Sequence, residues 1–196
     1  LEAGNRILQP QTGAVDRHGD VELLTTNANW RNRLLTTTGD TSAAAVEAAR
    51  YAALIQAEYP RLWPETIRAL LVHSTRWTPQ MLDRRQPKNI AKSEWRRILR
   101  TYGFGVPDLA SALRSARSAV TLICQDELQP YILDGSVVKT NELRFHHLPW
   151  PRNALQTLGA VPVEMRVTLS YFIEPNPGPR LPTNRYRYGS CNLRFD

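Results

Sequence analysis

The chain has few cysteines, no long apolar run and a modest aromatic content. Two cysteines in 196 residues are too few for the disulfide framework that holds small secreted domains together. No stretch of about 18 consecutive apolar residues is present, so the sequence predicts no membrane-spanning helix. With 42% hydrophobic and 22% charged residues, the composition is instead that of a globular protein able to bury a core.

The chain starts at Leu1 without an initiating methionine and without a charged segment followed by an apolar one. We therefore expect it to belong to a longer parent protein. Whether that parent carries an export signal stays an open question. Reduced thiols in a cytoplasmic protein are the expected state of Cys124 and Cys191. The alternative is one bridge between the strand predicted at 119–124 and the C-terminal segment.

Positive charge exceeds negative charge, since 25 Lys and Arg against 18 Asp and Glu give a net charge of +7. The excess lies in two groups: Arg84, Arg85, Lys88, Lys92, Arg96, Arg97, Arg100, Arg114 and Arg117, and then Arg180, Arg185, Arg187 and Arg194. Aromatic side chains nearby make nucleic-acid binding one interpretation. We favour another interpretation, in which part of the charge forms a solvated helix face and part docks on an acidic region of the parent chain. The reason is that the sequence contains no recognisable nucleic-acid recognition module.

A strand that turns sharply into a helix is indicated by residues 36–45. A threonine-rich, β-branched run stops at Gly39, and Ser42 precedes a long alanine-rich stretch. A serine at such a corner exposes its hydroxyl beside unpaired amides and the positive end of the helix dipole. This environment suits a nucleophile whose reaction develops negative charge. The alternative is that Thr41 or Ser42 is only the helix N-cap.

Four ordered segments favour the nucleophile. Thr41-Ser42-Ala43-Ala44-Ala45 leads into a small-residue helix that closes at Tyr59-Pro60, and residues 63–71 read Trp-Pro-Glu-Thr-Ile-Arg-Ala-Leu-Leu. Residues 102–110 read Tyr-Gly-Phe-Gly-Val-Pro-Asp-Leu-Ala, and Glu2-Ala3-Gly4 lies upstream. In order and spacing, these segments resemble four segments of the subtilisin-like serine proteases, the subtilases. The four family segments are the serine segment, the helix that follows it, the Tyr/Trp-Gly-x-Gly element and the upstream Ala-Pro-Gly.

The resemblance implies a serine endopeptidase in which Ser42 is the nucleophile and its backbone N–H helps to hold the oxyanion. Gly39, Asp40 and Thr41 are the residues expected to shape the turn. Asp40 stands where the family has glycine, and Val46 stands where the family has proline. Because of these departures, a catalytically inactive, subtilase-derived binding or scaffold module stays open as the alternative.

The remaining catalytic groups are expected outside the chain. The family order is Asp, His, oxyanion Asn and Ser, and the first three lie farther upstream than the 41 residues before Ser42 allow. Asp16 and His18 are only two residues apart, so we interpret residues 16–20 as a polar loop and not as a catalytic dyad. We expect His73 to be packed or capping. His146-His147 lacks the Cys or carboxylate spacing that would support a metal site. The isolated chain is expected to be inactive.

The sequence predicts an α/β fold in two parts. Residues 1–118 are expected to form the C-terminal part of a subtilisin-like three-layer domain, with loop over 1–20, strands at 21–26 and 34–37, helices at 42–58, 64–75, 93–100 and 107–117, and a polar excursion loop at 78–91. The small residues of the first helix predict that it is central and buried.

Residues 119–196 are expected to form a β-rich accessory domain. Alternating apolar residues predict strands at 119–124, 129–133, 141–148, 163–173 and 186–195, with a hairpin turn at Asp134-Gly135. This part resembles the antiparallel β-sandwich that larger subtilases carry after the protease core.

The resemblance also implies partners. A polypeptide substrate and the N-terminal remainder of the protease are expected. The chemistry requires no cofactor, although calcium sites are common in the family. Further likeness to some long bacterial subtilases, in residues 73–77 and 172–176, implies a cytoplasmic protease that works beside an ATPase. No membrane partner is expected.

Overall fold

The computed structural model describes residues 6–9, 11–116, 121–148 and 150–172 of the chain. The chain separates into two compact units, residues 1–118 and residues 119–196. The first unit combines short antiparallel strands with four α-helices, which fits the predicted α/β class. Among the described residues, no helix is long and apolar enough to cross a membrane.

Two small antiparallel sheets lead into the helices, β1 (Arg6–Leu8) with β2 (Val15–Arg17), and β3 (Leu23–Thr26) with β4 (Leu35–Thr38). The prediction of loop throughout residues 1–20 is therefore wrong where β1 and β2 form. Gly13, one of the residues that suggested loop, lies in the turn between these strands at φ +67°. Glycine adopts this left-handed conformation without steric penalty, so here it serves a hairpin.

The longest helix follows β4 after a single residue. α1 spans Asp40–Glu58 and packs with two further helices, α2 (Pro64–His73) and α4 (Leu109–Ser115). Buried side chains from all three helices form their shared core, namely Ile55, Ile67, Leu70 and Ala112. The Tyr59 hydroxyl donates a hydrogen bond to the Leu113 carbonyl and ties the end of α1 to α4.

The expectation that α1 is central and buried is wrong for the described part of the chain. Within α1, only Ala43 and Ile55 are buried. Val46 is 62% exposed and Leu54 is 42% exposed. Small side chains permit close packing on several sides, but the described neighbours cover only one of them. A mostly apolar face of α1 therefore stays open.

The predicted excursion loop at 78–91 is confirmed, apart from one turn of 3-10 helix at Pro87–Asn89, and it leads into α3 (Lys92–Tyr102). Leu82, Ile90 and Ile98 form a buried cluster, against which Trp77 and Trp95 pack. The centroids of the two indole rings are 4.9 Å apart. A few apolar side chains thus anchor a segment that is otherwise polar and basic.

The chain before α4 returns to the end of α2. Arg76 and Val106 exchange backbone hydrogen bonds of 2.9 Å in both directions, and the Asp108 amide donates to Ser74 Oγ at 3.2 Å. Gly105 has φ +98°, and a Cβ built there would lie 2.6 Å from the Arg76 carbonyl carbon. Glycine is required at this position both by its conformation and by this close approach.

In the second unit, β5 (Tyr131–Asp134) and β6 (Val137–Thr140) form a hairpin. The hairpin predicted at Asp134-Gly135 forms, but its two turn residues are Gly135, at φ +63°, and Ser136, because Asp134 is the last residue of β5. No strand forms at 121–124, 141–148 or 163–172, and the predicted strand at 186–195 lies outside the described residues. The β-sandwich is therefore not confirmed.

An unpredicted helix, α5 (Arg152–Leu158), follows the loop at Pro151. Its sequence consists mainly of good helix formers, and Gly159 ends it at φ +56°. The apolar side chains of the alternating segment that follows, from Val163 to Tyr171, are each about half exposed.

Candidate active site at the start of the first long helix

Ser42 is the third residue of α1, and it is exposed. β4 ends at Thr38, Gly39 is the helix N-cap, and α1 begins at Asp40. The strand therefore becomes a helix within one residue, as the sequence predicts. The alternative that Thr41 or Ser42 is the N-cap is wrong, because the helix begins before both residues. Gly39 has no side chain with which to cap α1. Within the described residues, the Ser42 hydroxyl makes no hydrogen bond.

The first turn of α1 provides the electrostatic environment of Ser42. The first four amides of an α-helix have no acceptor within the helix, and their dipoles make this end positive. Ser42 contributes both its hydroxyl and its own amide to this turn. A serine oxygen that attacks a carbonyl generates an oxyanion, and positive helix ends and backbone N–H groups stabilise such charge. The arrangement therefore places an exposed serine hydroxyl beside backbone donors, as the predicted nucleophile would require.

The backbone at Asp40 is strained. Its φ of +64° lies in the left-handed region, where glycine is at ease and where aspartate is tolerated better than most residues. This is the position at which subtilases carry glycine, so the structure gives a physical reason for that preference. Gly39 has an extended backbone and is buried. The shape of the turn therefore depends on two adjacent residues: Asp40 must adopt a left-handed conformation, and Gly39 must be small enough to be buried.

An ion pair between Arg17 and Glu22 supports this turn. Arg17 Nε donates to Glu22 Oε1 at 2.5 Å, and the Glu22 side chain is only 4% exposed. A Cβ built on Gly39 would lie 3.2 Å from Glu22 Oε1, so Glu22 packs directly over Gly39. The hydrogen bond and the charge of Glu22 raise the pKa of Arg17, and the charge of Asp40 raises it further. Arg17 thus compensates both carboxylates near the start of α1.

Arg17 and Glu22 were not identified from the sequence. They lie on either side of a 3-10 turn at Gly19–Val21 and match no motif. A charged residue with its side chain buried against glycine leaves no local signal, since the contact depends on how β2 and β3 are placed against the start of α1.

A shallow depression lies beside the first turns of α1. Residues 20–23 line one side of it, and Ala43, Ala44 and Glu47 line the other. Ser42 is not part of the lining. The described residues therefore form the turn that carries Ser42 but no substrate cleft around its hydroxyl.

Asp16 and His18 serve the local backbone. Asp16 Oδ1 accepts a hydrogen bond from the Arg17 amide at 2.7 Å, and His18 Nδ1 accepts one from the Asp20 amide at 3.3 Å. The segment is the end of β2 and the following 3-10 turn, so the predicted polar loop is wrong in part.

The other singled-out histidines lie elsewhere. His73 is the last residue of α2 and is half-buried, while His146 and His147 are exposed in the second unit. In the ranges that the structure describes, no three His, Cys, Asp or Glu residues are grouped as a metal site. Cys124 is an exposed free thiol. Glu2-Ala3-Gly4 and Cys191 lie outside the described residues.

Comparison with known proteins shows the family of the chain. No curated protein and no solved structure matches the chain. The family model described as the subtilase family matches residues 3–105, which is just over half of the chain. The matched range contains the strand-to-helix turn with Ser42 and ends at the glycine that contacts Arg76. Subtilases are serine proteases, and this chain belongs to the subtilase family.

Proposed function

We propose that this chain supplies the nucleophile of a serine endopeptidase. The observation that carries the proposal is an exposed serine in the first turn of α1, directly after a strand, within the range that matches the family. Ser42 Oγ attacks the scissile carbonyl carbon, and its proton passes to a base. The tetrahedral intermediate expels the amine with that proton, and water then hydrolyses the acyl ester.

The remaining groups are proposed to come from an N-terminal remainder of the protease. A histidine acts there as base, an aspartate orients it, and an asparagine joins the Ser42 amide at the oxyanion. Residues 1–118 would then be the C-terminal part of the catalytic domain, and residues 119–196 an accessory unit. The isolated chain would lack activity, since these groups together provide most of the acceleration.

The open face of α1 supports a docked remainder. Val46 and Leu54 are well exposed on a helix that also presents Ala45, Ala49 and Ala53 to solvent. Contiguous apolar surface on one helix face is typical of a surface that another part of a protein covers. The substrate is proposed to be a polypeptide, and the parent to work in the cytoplasm beside an ATPase. No cofactor takes part in the acyl transfer, and calcium would have only a structural role.

The second candidate is an inactive, subtilase-derived binding or scaffold module. Asp40 favours it, because a carboxylate near the nucleophile opposes the build-up of negative charge in the transition state. Val46 favours it as well, since it replaces a family proline at the start of the helix.

A fluorophosphonate probe on the full-length protein separates the two functions. Covalent labelling is expected at Ser42, and Ser42→Ala should abolish it. Ser93→Ala is the matched control, because Ser93 is also an exposed serine in the first turn of a helix, α3. Intact labelling in that variant is expected. A folded protein that is not labelled would support the scaffold instead.

A further inference from the structure

The outer face of α3 carries three cations in a row. Lys92, Arg96 and Arg100 are spaced four residues apart, so they lie on one side of the helix over about 12 Å. All three side chains are exposed, while Ile98 on the opposite side is fully buried. We refer to these three residues as the basic ridge.

The acidic residues near the ridge already have partners. Arg85 Nη1 donates to both oxygens of Glu94, at 2.8 and 2.9 Å, and Asp83 lies within 3.5 Å of Arg85 and Arg97. Glu94 raises the pKa of Arg85, and Arg85 lowers the pKa of Glu94. Among the described residues, no ridge side chain has an ion-pair partner. The positive charge of the ridge therefore stabilises the fold through no ion pair among the described residues.

The ridge also opposes the stability of its own helix. Like charges four residues apart repel each other. Lys92 is the first residue of α3, where the positive end of the helix dipole disfavours a cation. A sequence suited only to forming α3 would carry an acidic residue at position 92. Conflicts between local preference and the observed residues are expected at functional surfaces.

Apolar side chains line one flank of the ridge. Leu99 and Tyr102 are each 40% exposed, and at 100° per residue they follow one edge of the row of cations. The nearest indoles, those of Trp77 and Trp95, pack on each other and on the buried cluster. They are therefore not free to stack on bases, as a nucleic-acid surface would require. A cationic row with an apolar edge matches a polypeptide better.

We propose that the basic ridge is a docking surface for an acidic amphipathic helix of a partner protein. Carboxylates at every fourth residue of such a helix repeat at the same spacing of about 6 Å as the ridge cations. Apolar residues beside those carboxylates meet Leu99 and Tyr102. The ridge lies on α3 and not on α1, so this proposal does not depend on Ser42 or on protease activity.

The test measures binding of a fluorescent helical peptide to the full protein. The peptide is alanine-based, with glutamate at every fourth position and leucine three residues after each glutamate. Binding is expected at low salt and should weaken as salt screens the charges. The triple variant Lys92→Glu, Arg96→Glu, Arg100→Glu should bind about tenfold or more weakly.

Two control variants separate docking from unfolding and from net charge. Replacing the three ridge residues with Gln should also weaken binding, with thermal stability unchanged or raised because the repulsion is removed. The variant Arg31→Glu, Arg33→Glu, Arg61→Glu changes the net charge as much as the ridge reversal, at exposed positions away from α3, and should keep binding within about threefold.

Three results would overturn the proposal. One is that the peptide does not bind. This result is also expected if an acidic segment of the protein's own chain already covers the ridge. Another is an equal loss of binding in the control variant. The third is tighter binding of a DNA oligonucleotide of matched charge, which would assign the ridge to nucleic acid.

Discussion

The junction that leads into α1 and the junction that leads into α4 solve the same problem in different ways. Each connects extended backbone to a helix and contains a residue at positive φ, Asp40 at +64° in the first and Gly105 at +98° in the second. Before α4, the Asp108 side chain caps the helix by accepting from the Ser111 amide at 3.2 Å. Before α1, the N-cap residue is Gly39, which has no side chain to cap the helix.

The difference shows where the molecule favours stability and where it tolerates strain. Before α4, the residue at positive φ is a glycine, Gly105, and the Asp108 side chain caps the helix, so both features favour stability. At α1 a non-glycine residue is held in a left-handed conformation beside an exposed serine, with support from Arg17 and Glu22. Strained backbone of this kind persists when its surroundings over-determine it, and it clusters at functional sites. The comparison thus shows that the start of α1 carries backbone strain that the start of α4 does not.

The largest effect is expected for Gly105→Ala. A Cβ at this position would overlap the Arg76 backbone, and φ is +98°. We expect a loss of about 2–4 kcal/mol in the free energy of unfolding, measured by urea titration. Gly103→Ala is the matched control, because Gly103 has φ +58° and open space around its Cβ position. It should lose less than Gly105→Ala, because only its conformation, φ +58° and ψ −136°, opposes a side chain there. Equal losses would mean that the close approach to Arg76 contributes nothing.

A smaller effect is expected for the cap of α4. Asp108→Ala removes the acceptor for the Ser111 amide and should lower the free energy of unfolding by about 1 kcal/mol. Asp108→Asn keeps an acceptor and should retain most of this stability at neutral pH.

The same cap predicts a pH dependence. Hydrogen bonds from the Ser111 hydroxyl and amide lower the pKa of Asp108. Its contribution is therefore complete above the unfolded value of about 3.9 and is lost as pH falls through the lower folded value. Urea titrations between about pH 6 and pH 2 should show a shallower decline for Asp108→Asn than for the unmodified protein. Identical slopes would contradict the assignment.

The smallest effect, and one of opposite sign, is expected for Asp40→Gly. Glycine relieves the left-handed conformation but increases the freedom of the unfolded chain, so a net gain of about 0.5 kcal/mol in the free energy of unfolding is expected. Gly39→Ala should instead destabilise the protein, because its Cβ would press on the Glu22 carboxylate. If Asp40→Gly also destabilises the protein, then the attraction between Asp40 and Arg17 outweighs the strain.

Local signals in the sequence predicted the parts of the fold that depend on neighbouring residues. The turn before Ser42, Pro64 at the start of α2 and the hairpin at Asp134-Gly135 all follow from the preferences of a few consecutive residues. The motif with Gly105 was found by resemblance, but its reason, contact with the Arg76 backbone, required the structure.

Features that depend on distant contacts could not be predicted. The pairing of Arg17 with Glu22 over Gly39 brings three elements together, and no single segment carries its signature. The alternation at 163–172 predicted a strand, but a strand also requires a neighbour from a distant part of the chain, which alternation does not reveal. The alanines of α1 indicate that the helix can be buried, but burial depends on which partner is present.

The packed indoles of Trp77 and Trp95 give the excursion segment an optical signature of its own. We expect the two indoles, 4.9 Å apart, to contribute to the near-ultraviolet circular dichroism while they stay packed on Leu82, Ile90 and Ile98. That signal reports the integrity of residues 77–98 separately from the helical signal of α1, α2 and α4. Local opening of this segment is therefore distinguishable from global unfolding without any added label.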